Sequence, residues 1–394
     1  MIQPRLSDRS GLLKPSPTLS ITAKAKAMKA QGEDVLSFAA GEPDFNTPDT
    51  VCQAAIEALN QGFTKYTPSS GIPELKDAIV GKLQRENGLG FEPSQIVVGC
   101  GAKHSIYNSM MTLLNPGDEA ILIAPYWMTY ADQIRLAGAV PVVVKTDLAT
   151  NFVPAIEAIQ AKITPRTRLI LVNSPSNPTG AVYPRKTLEA IAELALRHNL
   201  WIVSDEIYER LVYGTKHESV CSLGKEVQER TVLIGGCSKT YAMTGWRIGF
   251  AAAPKPVASA MSNFQDQVTS NPTSFAQKGA IAAFNMDASG VEAMRVEFEA
   301  RRDLFIGKLR QIEGLGVPTP MGAFYVFANV SRFLRNGIAT DVELANYLLE
   351  EAKLATVPGS VFEGEDHLRM SYACSREDLS RGAERLGEAL SKLK

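Results

Sequence analysis

Histidine and cysteine are scarce in this chain: its 394 residues include only 4 histidines and 5 cysteines. The cysteines, Cys52, Cys100, Cys221, Cys237 and Cys374, are odd in number, widely scattered, and form no C-x-x-C pair. That pattern offers neither a disulfide framework nor a zinc-type ligand set, so reduced thiols, no metal and a cytoplasmic location are expected. Charge of one sign is missing too. The 41 basic and 42 acidic residues leave a net charge of -1, with no long block of like charges, so nothing marks a nucleic-acid partner. Long apolar runs are also absent. Nowhere do the roughly 18 apolar residues of a membrane helix run together, and Met1 to Asp34 mixes charges with prolines rather than building the apolar centre of an export signal. A soluble protein with no membrane partner is expected. The composition that remains, 45% apolar and 21% charged, is that of an ordinary globular chain. Its length favours two domains over one.

From about residue 49 to 286, short apolar runs alternate with helical patterns, which predicts a mostly parallel sheet wound with helices. The strand candidates are Gln95–Gly99, Ala120–Ala124, Val140–Val144, Arg168–Asn173, Trp201–Ser204, Thr231–Ile234 and Arg247–Ala252, with helices such as Ser105–Leu114 and Lys186–His198 between them. Val291, Met294, Phe298, Phe305, Leu309 and Ile312 recur at helical steps, so one long helix should carry the chain out of the sheet. Beyond it come strand-like Ala323–Phe327, helical Val342–Ala352, strand-like Leu368–Ala373 and a charged C-terminal helix. The expected fold is α/β: a large domain, 49–286, with a seven-stranded sheet, and a smaller α+β domain, 287–394, completed by residues 1–48.

In open α/β sheets ligands bind outside the carboxyl ends of the strands, so the residues that follow each strand carry the chemistry. Thr231–Ile234 is followed by Gly235-Gly236-Cys237-Ser238-Lys239 and Trp201–Ser204 by Asp205. Arg168–Val172 is followed by Asn173-Ser174-Pro175-Ser176-Asn177-Pro178-Thr179-Gly180, and Ala120–Ala124 by Pro125-Tyr126-Trp127. A lysine desolvated at a strand end can lose its charge and attack a carbonyl, forming a Schiff base. Ser238 and Arg247, close by in sequence, are natural phosphate ligands. An aspartate that ends an apolar strand is costly unless it meets a positive partner, and the protonated nitrogen of a pyridinium ring is one. The plainer alternative makes Asp205 the N-cap of a helix over Glu206–Leu211. Gly99-Cys100-Gly101-Ala102-Lys103 leads from strand to helix, so backbone N–H groups at Gly101, Ala102 and Lys103 can cradle a phosphate. Trp127 can stack on an aromatic ring, while Asn177 and Tyr208 can donate to a phenolic oxygen. Each has a structural alternative: Trp127 as core, Asn177 as a turn residue before proline, Tyr208 as a half-buried helix face. Cys237, two residues before Lys239, reads as a small buried filler.

With Lys239, Asp205, Asn177, Arg247 and Arg369 in this order, the chain resembles the class I aminotransferases of the fold-type-I pyridoxal-phosphate enzymes over nearly its full length. The matching stretches are Ser238–Gly249 (SKTYAMTGWRIG), Asn173–Gly180 (NSPSNPTG), Gly41–Phe45 (GEPDF) and Tyr66–Gly71 (YTPSSG). Gly101–Lys103 and Lys14–Ser16 are similar to the branch that holds the bacterial-type aspartate aminotransferases. The resemblance implies pyridoxal 5'-phosphate on Lys239, with Gly41 and Arg369 on the substrate α-carboxylate and Asn177 touching carboxylate and cofactor. It implies a homodimer with shared active sites, in which Tyr66 reaches the cofactor phosphate of the neighbouring subunit. The reaction it implies is transamination between L-aspartate and 2-oxoglutarate, with the side-chain carboxylate held by Lys103 and hydroxyls of Ser16 or Thr18; a solvated first-turn lysine is the alternative for Lys103. Where the family usually has Asn, this chain has Gly235. Amination of prephenate and, on the same fold, a carbon–sulfur lyase are the rival activities. An effector-sensing module fused to a DNA-binding domain would need a further domain outside the matched pattern.

Overall fold

The computed structural model describes residues 5–13 and 17–393; Ser16 lies outside them, and so does the side chain of Thr18. Strand β1 is Leu36–Ser37, and the following strands are β2 (Ile96–Gly99), β3 (Glu119–Ala124), β4 (Val140–Lys145), β5 (Thr167–Asn173) and β6 (Trp201–Asp205). They continue as β7 (Thr231–Gly236), β8 (Gly249–Ala252), β9 (Tyr325–Asn329), β10 (Leu354–Ala355), β11 (Val357–Pro358) and β12 (His367–Ser371).

The expected seven-stranded sheet forms, in the order β2-β8-β7-β6-β5-β3-β4. Strand β8 runs antiparallel to both of its neighbours, and the remaining pairs are parallel. The inner strands are covered on both faces, which is why they read as unbroken apolar runs, while the edge strand β4 is half-exposed. Ile121, Ile123, Ile170 and Ile202 join one buried cluster, while Leu122, Leu169, Leu171, Val203 and Val232 join another. This period of two sends alternate side chains to opposite faces and sets where the chain leaves each strand. In register, Asn173 lies beside Asp205 and Asp205 beside Ile234, so the turns after β5, β6 and β7 open at one edge.

Some local readings fail: the strand expected from Ala323 starts only at Tyr325. Arg247 does not begin a strand: it has a left-handed backbone (φ 57°) after the short 3-10 turn Thr244–Trp246, and β8 starts at Gly249. Glu206–Leu211 is a run of turns rather than a helix, so Asp205 caps no helix there. Gly235 has a local reason of its own, because a Cβ at that position would lie 2.5 Å from the Phe250 ring.

The long helix forms as Ser289–Leu309, burying Val291, Met294, Phe298, Phe305 and Leu309. It leads to an antiparallel sheet of order β11-β12-β9, in which Arg369 pairs with Phe327. The N-terminal segment joins this part of the chain: β1 pairs with β10, and Ser371 N–H donates to Phe38 O at 2.8 Å. Among the described residues no helix is long and apolar enough to cross a membrane.

Candidate active site

A cavity of about 1160 Å³ opens where β3, β5, β6 and β7 end. Trp127, Asn177, Asp205, Lys239, Arg247 and Arg369 line it, and so do Gly41, Ala102, Lys103, Tyr208 and Ser238. Eleven of the residues singled out in the sequence thus meet in one place. Gly101 is not in the wall but stands directly behind it. A Cβ there would lie 2.4 Å from Arg247 Nη2, so only glycine, here at φ 89°, lets the guanidinium approach the start of helix Ala102–Leu113. Tyr66 is not brought to the cavity at all; it is 92% exposed. Cys237 is fully buried, as a filler should be.

Asp205 is buried, and its carboxylate is held from two sides. Tyr130 Oη donates to Oδ2 at 2.6 Å, and Ile207 N–H donates to Oδ1 at 3.2 Å. Burial pushes its pKa up to about 6, although Tyr130 and the Ile207 amide oppose the shift. Lys239 is also desolvated: burial lowers its pKa to about 8, with Glu42 opposing and Arg369 and Arg247 adding to the fall. Its Nζ donates to Gly41 O and makes no ion pair among the described residues.

Arg369 is 2% exposed and sandwiched by aromatic rings, Tyr325 at 4.5 Å and Phe362 at 5.0 Å. Its Nη1 donates to Asn177 Oδ1 at 3.0 Å and its Nη2 to Ala39 O at 2.9 Å, while Nε is buried without a partner. A planar guanidinium fixed in this way at a cavity wall suits a carboxylate. Asn177 is itself fixed, because Asn173 Oδ1 accepts its backbone N–H at 3.0 Å while Asn173 Nδ2 donates to Asp205 O at 3.0 Å. Lys103 Nζ lies 4.9 Å over the Trp127 ring, and burial lowers its pKa.

With this geometry in place, the comparisons with known proteins agree. The family described as "Aminotransferase class I and II" matches residues 33–386. The chain belongs to this family. An aspartate aminotransferase of Geobacillus stearothermophilus is 48% identical over 384 residues, covering 97% of this chain and 98% of the relative. An aspartate/prephenate aminotransferase of Thermus thermophilus is 44% identical over 390 residues, covering 98% and 99%. Among solved structures, the Thermus thermophilus aspartate aminotransferase with maleate superposes with a TM-score of 0.94 at 43% identity, covering 98% of this chain and 100% of that one.

This aminotransferase is therefore a pyridoxal-phosphate enzyme that carries out transamination, and the lyase reading falls away. Its residues fit the cofactor. A buried carboxylate with raised proton affinity suits a ring nitrogen that must stay protonated, and a depressed lysine suits covalent attachment. The glycine-lined approach of Arg247 to a helix start suits a phosphate.

Three contributors escaped the sequence reading: Tyr130, Asn173 and Tyr325. Tyr130 follows Trp127 by three residues, so the strand-end rule extended one turn further would have reached it. Asn173 closes β5 and was quoted without a role. Tyr325, whose hydroxyl lies 2.9 Å from that of Tyr208, comes from the distant strand β9, and nothing local marks it.

Proposed function

We propose that this aminotransferase exchanges the amino group between L-aspartate and 2-oxoglutarate, giving oxaloacetate and L-glutamate. The observation that carries this reading is one of charge. Lys103, Lys239, Arg247 and Arg369 all line the cavity, and none of them makes an ion pair among the described residues. Four cations gathered at one cavity without an ion pair repel one another, and the buried Arg369 is costly to leave uncompensated, so anionic ligands complete the site. A cofactor phosphate answers Arg247, an α-carboxylate answers Arg369, and a second carboxylate answers Lys103.

In this reading Arg247, Ser238 and the amides at Gly101, Ala102 and Lys103 hold the phosphate. Asp205 faces the ring nitrogen, Trp127 covers the ring, and Asn177 and Tyr208 donate to the phenolic oxygen. When bound, pyridoxal phosphate supplies the electron sink that lets the substrate Cα–H bond break. Arg369 grips the α-carboxylate through its planar fork, and Gly41 closes beside it. Lys239, its pKa lowered to about 8, then takes the Cα proton on Nζ. Tyr66, 92% exposed, reaches the cofactor phosphate of a second subunit in this reading, so the working form is a homodimer; a cytoplasmic location goes with the reduced thiols expected from the scattered cysteines.

Prephenate also carries a distal carboxylate that Lys103 can meet, and a cavity of about 1160 Å³ admits it. The deciding measurement is kcat/KM for aspartate, alanine, phenylalanine and prephenate in the parent and in Lys103→Ala. Losing a hydrogen bond to a charged partner should reduce the dicarboxylic substrates roughly 10- to 100-fold and spare the others. Equal loss across all four, or a parent that prefers alanine or phenylalanine, overturns the assignment.

A further inference from the structure

We propose that Tyr130 is a positioning residue for Asp205, its hydroxyl holding the carboxylate charged and aimed into the cavity. The inference rests on the reading of Asp205 as the partner of the cofactor ring nitrogen. Tyr130 is 1% exposed, on helix Thr129–Leu136, and its ring meets Trp127 edge-on at a centroid distance of 5.4 Å. The Oη–Oδ2 distance of 2.6 Å is that of a hydroxyl donating to a charged oxygen, the strong form of the bond. With Oδ1 taken by the Ile207 amide, the carboxylate cannot swing away, and each oxygen keeps a lone pair for a ligand.

The donor also acts on charge. Asp205 is surrounded by apolar strand ends, and the groups that bear on it are few: Glu206 and Tyr208 from its own turn, Lys239 from the turn after β7, and Tyr130. Tyr183 bears in turn on Tyr130. Glu206 works against ionisation of Asp205, while Tyr130 and Lys239 favour it. Burial keeps the Tyr130 hydroxyl protonated well beyond the ordinary tyrosine range, so it remains a donor at every working pH.

Linkage separates this role from that of a mere wall. Deleting the hydroxyl penalises the ionised carboxylate equally with and without cofactor, so affinity at alkaline pH should not change. Below the pKa of Asp205 in the cofactor-free chain, binding must first strip its proton, and there the variant should lose affinity. Tyr130→Phe, which keeps the ring, should raise the Asp205 midpoint by about one unit, a factor of about ten in proton affinity. The pyridoxal-phosphate Kd, followed from about pH 5 to 8.5, should then stay within about twofold of the parent at the alkaline end and weaken about tenfold at the acid end.

The Asp205 titration is read by carboxyl infrared difference spectra of the cofactor-free chain, with Asp205→Asn as the blank. In the Asp205→Asn background the Tyr130→Phe change should carry no pH-dependent effect on Kd. An unmoved Asp205 midpoint, or a loss of affinity equal at all pH values, overturns the inference and leaves Tyr130 as packing. If Asp205→Asn itself binds cofactor and transaminates like the parent, the reading of Asp205 fails and the inference falls with it. The two failures are thus told apart.

Discussion

Asp205 and Glu206 are neighbours in sequence and both buried, at 3% and 2% exposure, yet the protein treats them differently. Glu206 faces away from the cavity into a closed set of donors: Ser204 Oγ at 2.8 Å, Ser219 Oγ at 3.0 Å, Val220 N–H at 3.2 Å and His217 Nε2 at 2.8 Å. Asp205 has two donors, the cavity in front of it, and a pKa pushed up to about 6. The cations divide in the same way. Lys82 is buried but salt-bridged to Glu209 and hydrogen-bonded to Asn87 at 2.9 Å, whereas Lys239 meets a carbonyl and the faces of Tyr208 and Phe324 but, among the described residues, no carboxylate. A buried charge that its own chain satisfies holds structure, and one left half-satisfied beside a cavity holds a ligand.

The largest effect that could break this contrast is on the lysines. Lys239→Ala should lose transamination by roughly 10⁴-fold or more, the upper range for a lost proton-transfer group, without loss of thermal stability. Lys82→Ala should do the reverse, costing about 3–5 kcal/mol because Glu209 is left charged and unpaired. Steady-state rates and thermal melts of both variants check it, and a Lys239→Ala enzyme with parental turnover sinks the assignment.

Next in size are the paired carboxylates. Asp205→Asn should lower kcat about 100- to 1000-fold, as expected for a preorganised charge that is lost. It should also stabilise the cofactor-free chain. The folded pKa of Asp205 lies above its ordinary 3.8, so its ionisation opposes folding once pH passes from 3.8 through about 6, a cost on the order of 3 kcal/mol at neutral pH. Glu206→Gln should instead destabilise by about 1–3 kcal/mol, since one of the donors aimed at it loses its acceptor, and should leave most of kcat. Opposite signs in melting temperature for two adjacent residues are the result to look for; equal signs erase the distinction.

Arg369 comes third. Its unserved Nε and its two anchored Nη groups mark a half-satisfied cation of the same kind. Lysine lacks the fork, so Arg369→Lys should raise KM for every amino-acid donor roughly 10- to 100-fold. An unchanged KM across donors returns Arg369 to a structural part.

These contrasts also explain what could be read before the fold was known. Strands buried on both faces announce themselves as unbroken apolar runs, so all seven strands of the main sheet, and the residues at their ends, were legible. Arg247 and Ala323 were misread as strand: both have left-handed backbones, φ 57° and 55°, and the Ala323 N–H is taken by Leu211 O, far away in sequence. The closed valences of Glu206 were illegible for a related reason: Ser219, Val220 and His217 reach it from another loop. Lys103, Asn177 and Arg369 could be named, but the anchoring of the Arg369 guanidinium at the cavity wall by Asn177 and Ala39 exists only in three dimensions.

The smallest effect sharpens the comparison on its structural side and concerns His217. Burial pushes its pKa down, but the Glu206 carboxylate more than reverses this, so the net shift is upward from 6.5. Glu209 adds to the rise and Lys82 opposes it. A histidine whose folded pKa is raised stabilises the fold fully below its unfolded pKa, and that contribution is lost as pH climbs through the folded value. The parent should therefore lose melting temperature relative to His217→Gln as pH rises above about 6.5, by a few degrees at most, since about 1 kcal/mol moves a large domain by only about 2–4 °C. The two melting curves should converge at the alkaline end, where His217 is neutral and Gln, like it, can still donate to Glu206. Parallel curves over the whole range would show that His217 stays neutral throughout. Glu206 would then be held by its hydroxyl and amide donors alone, and the closed side of the contrast would owe nothing to a histidine charge.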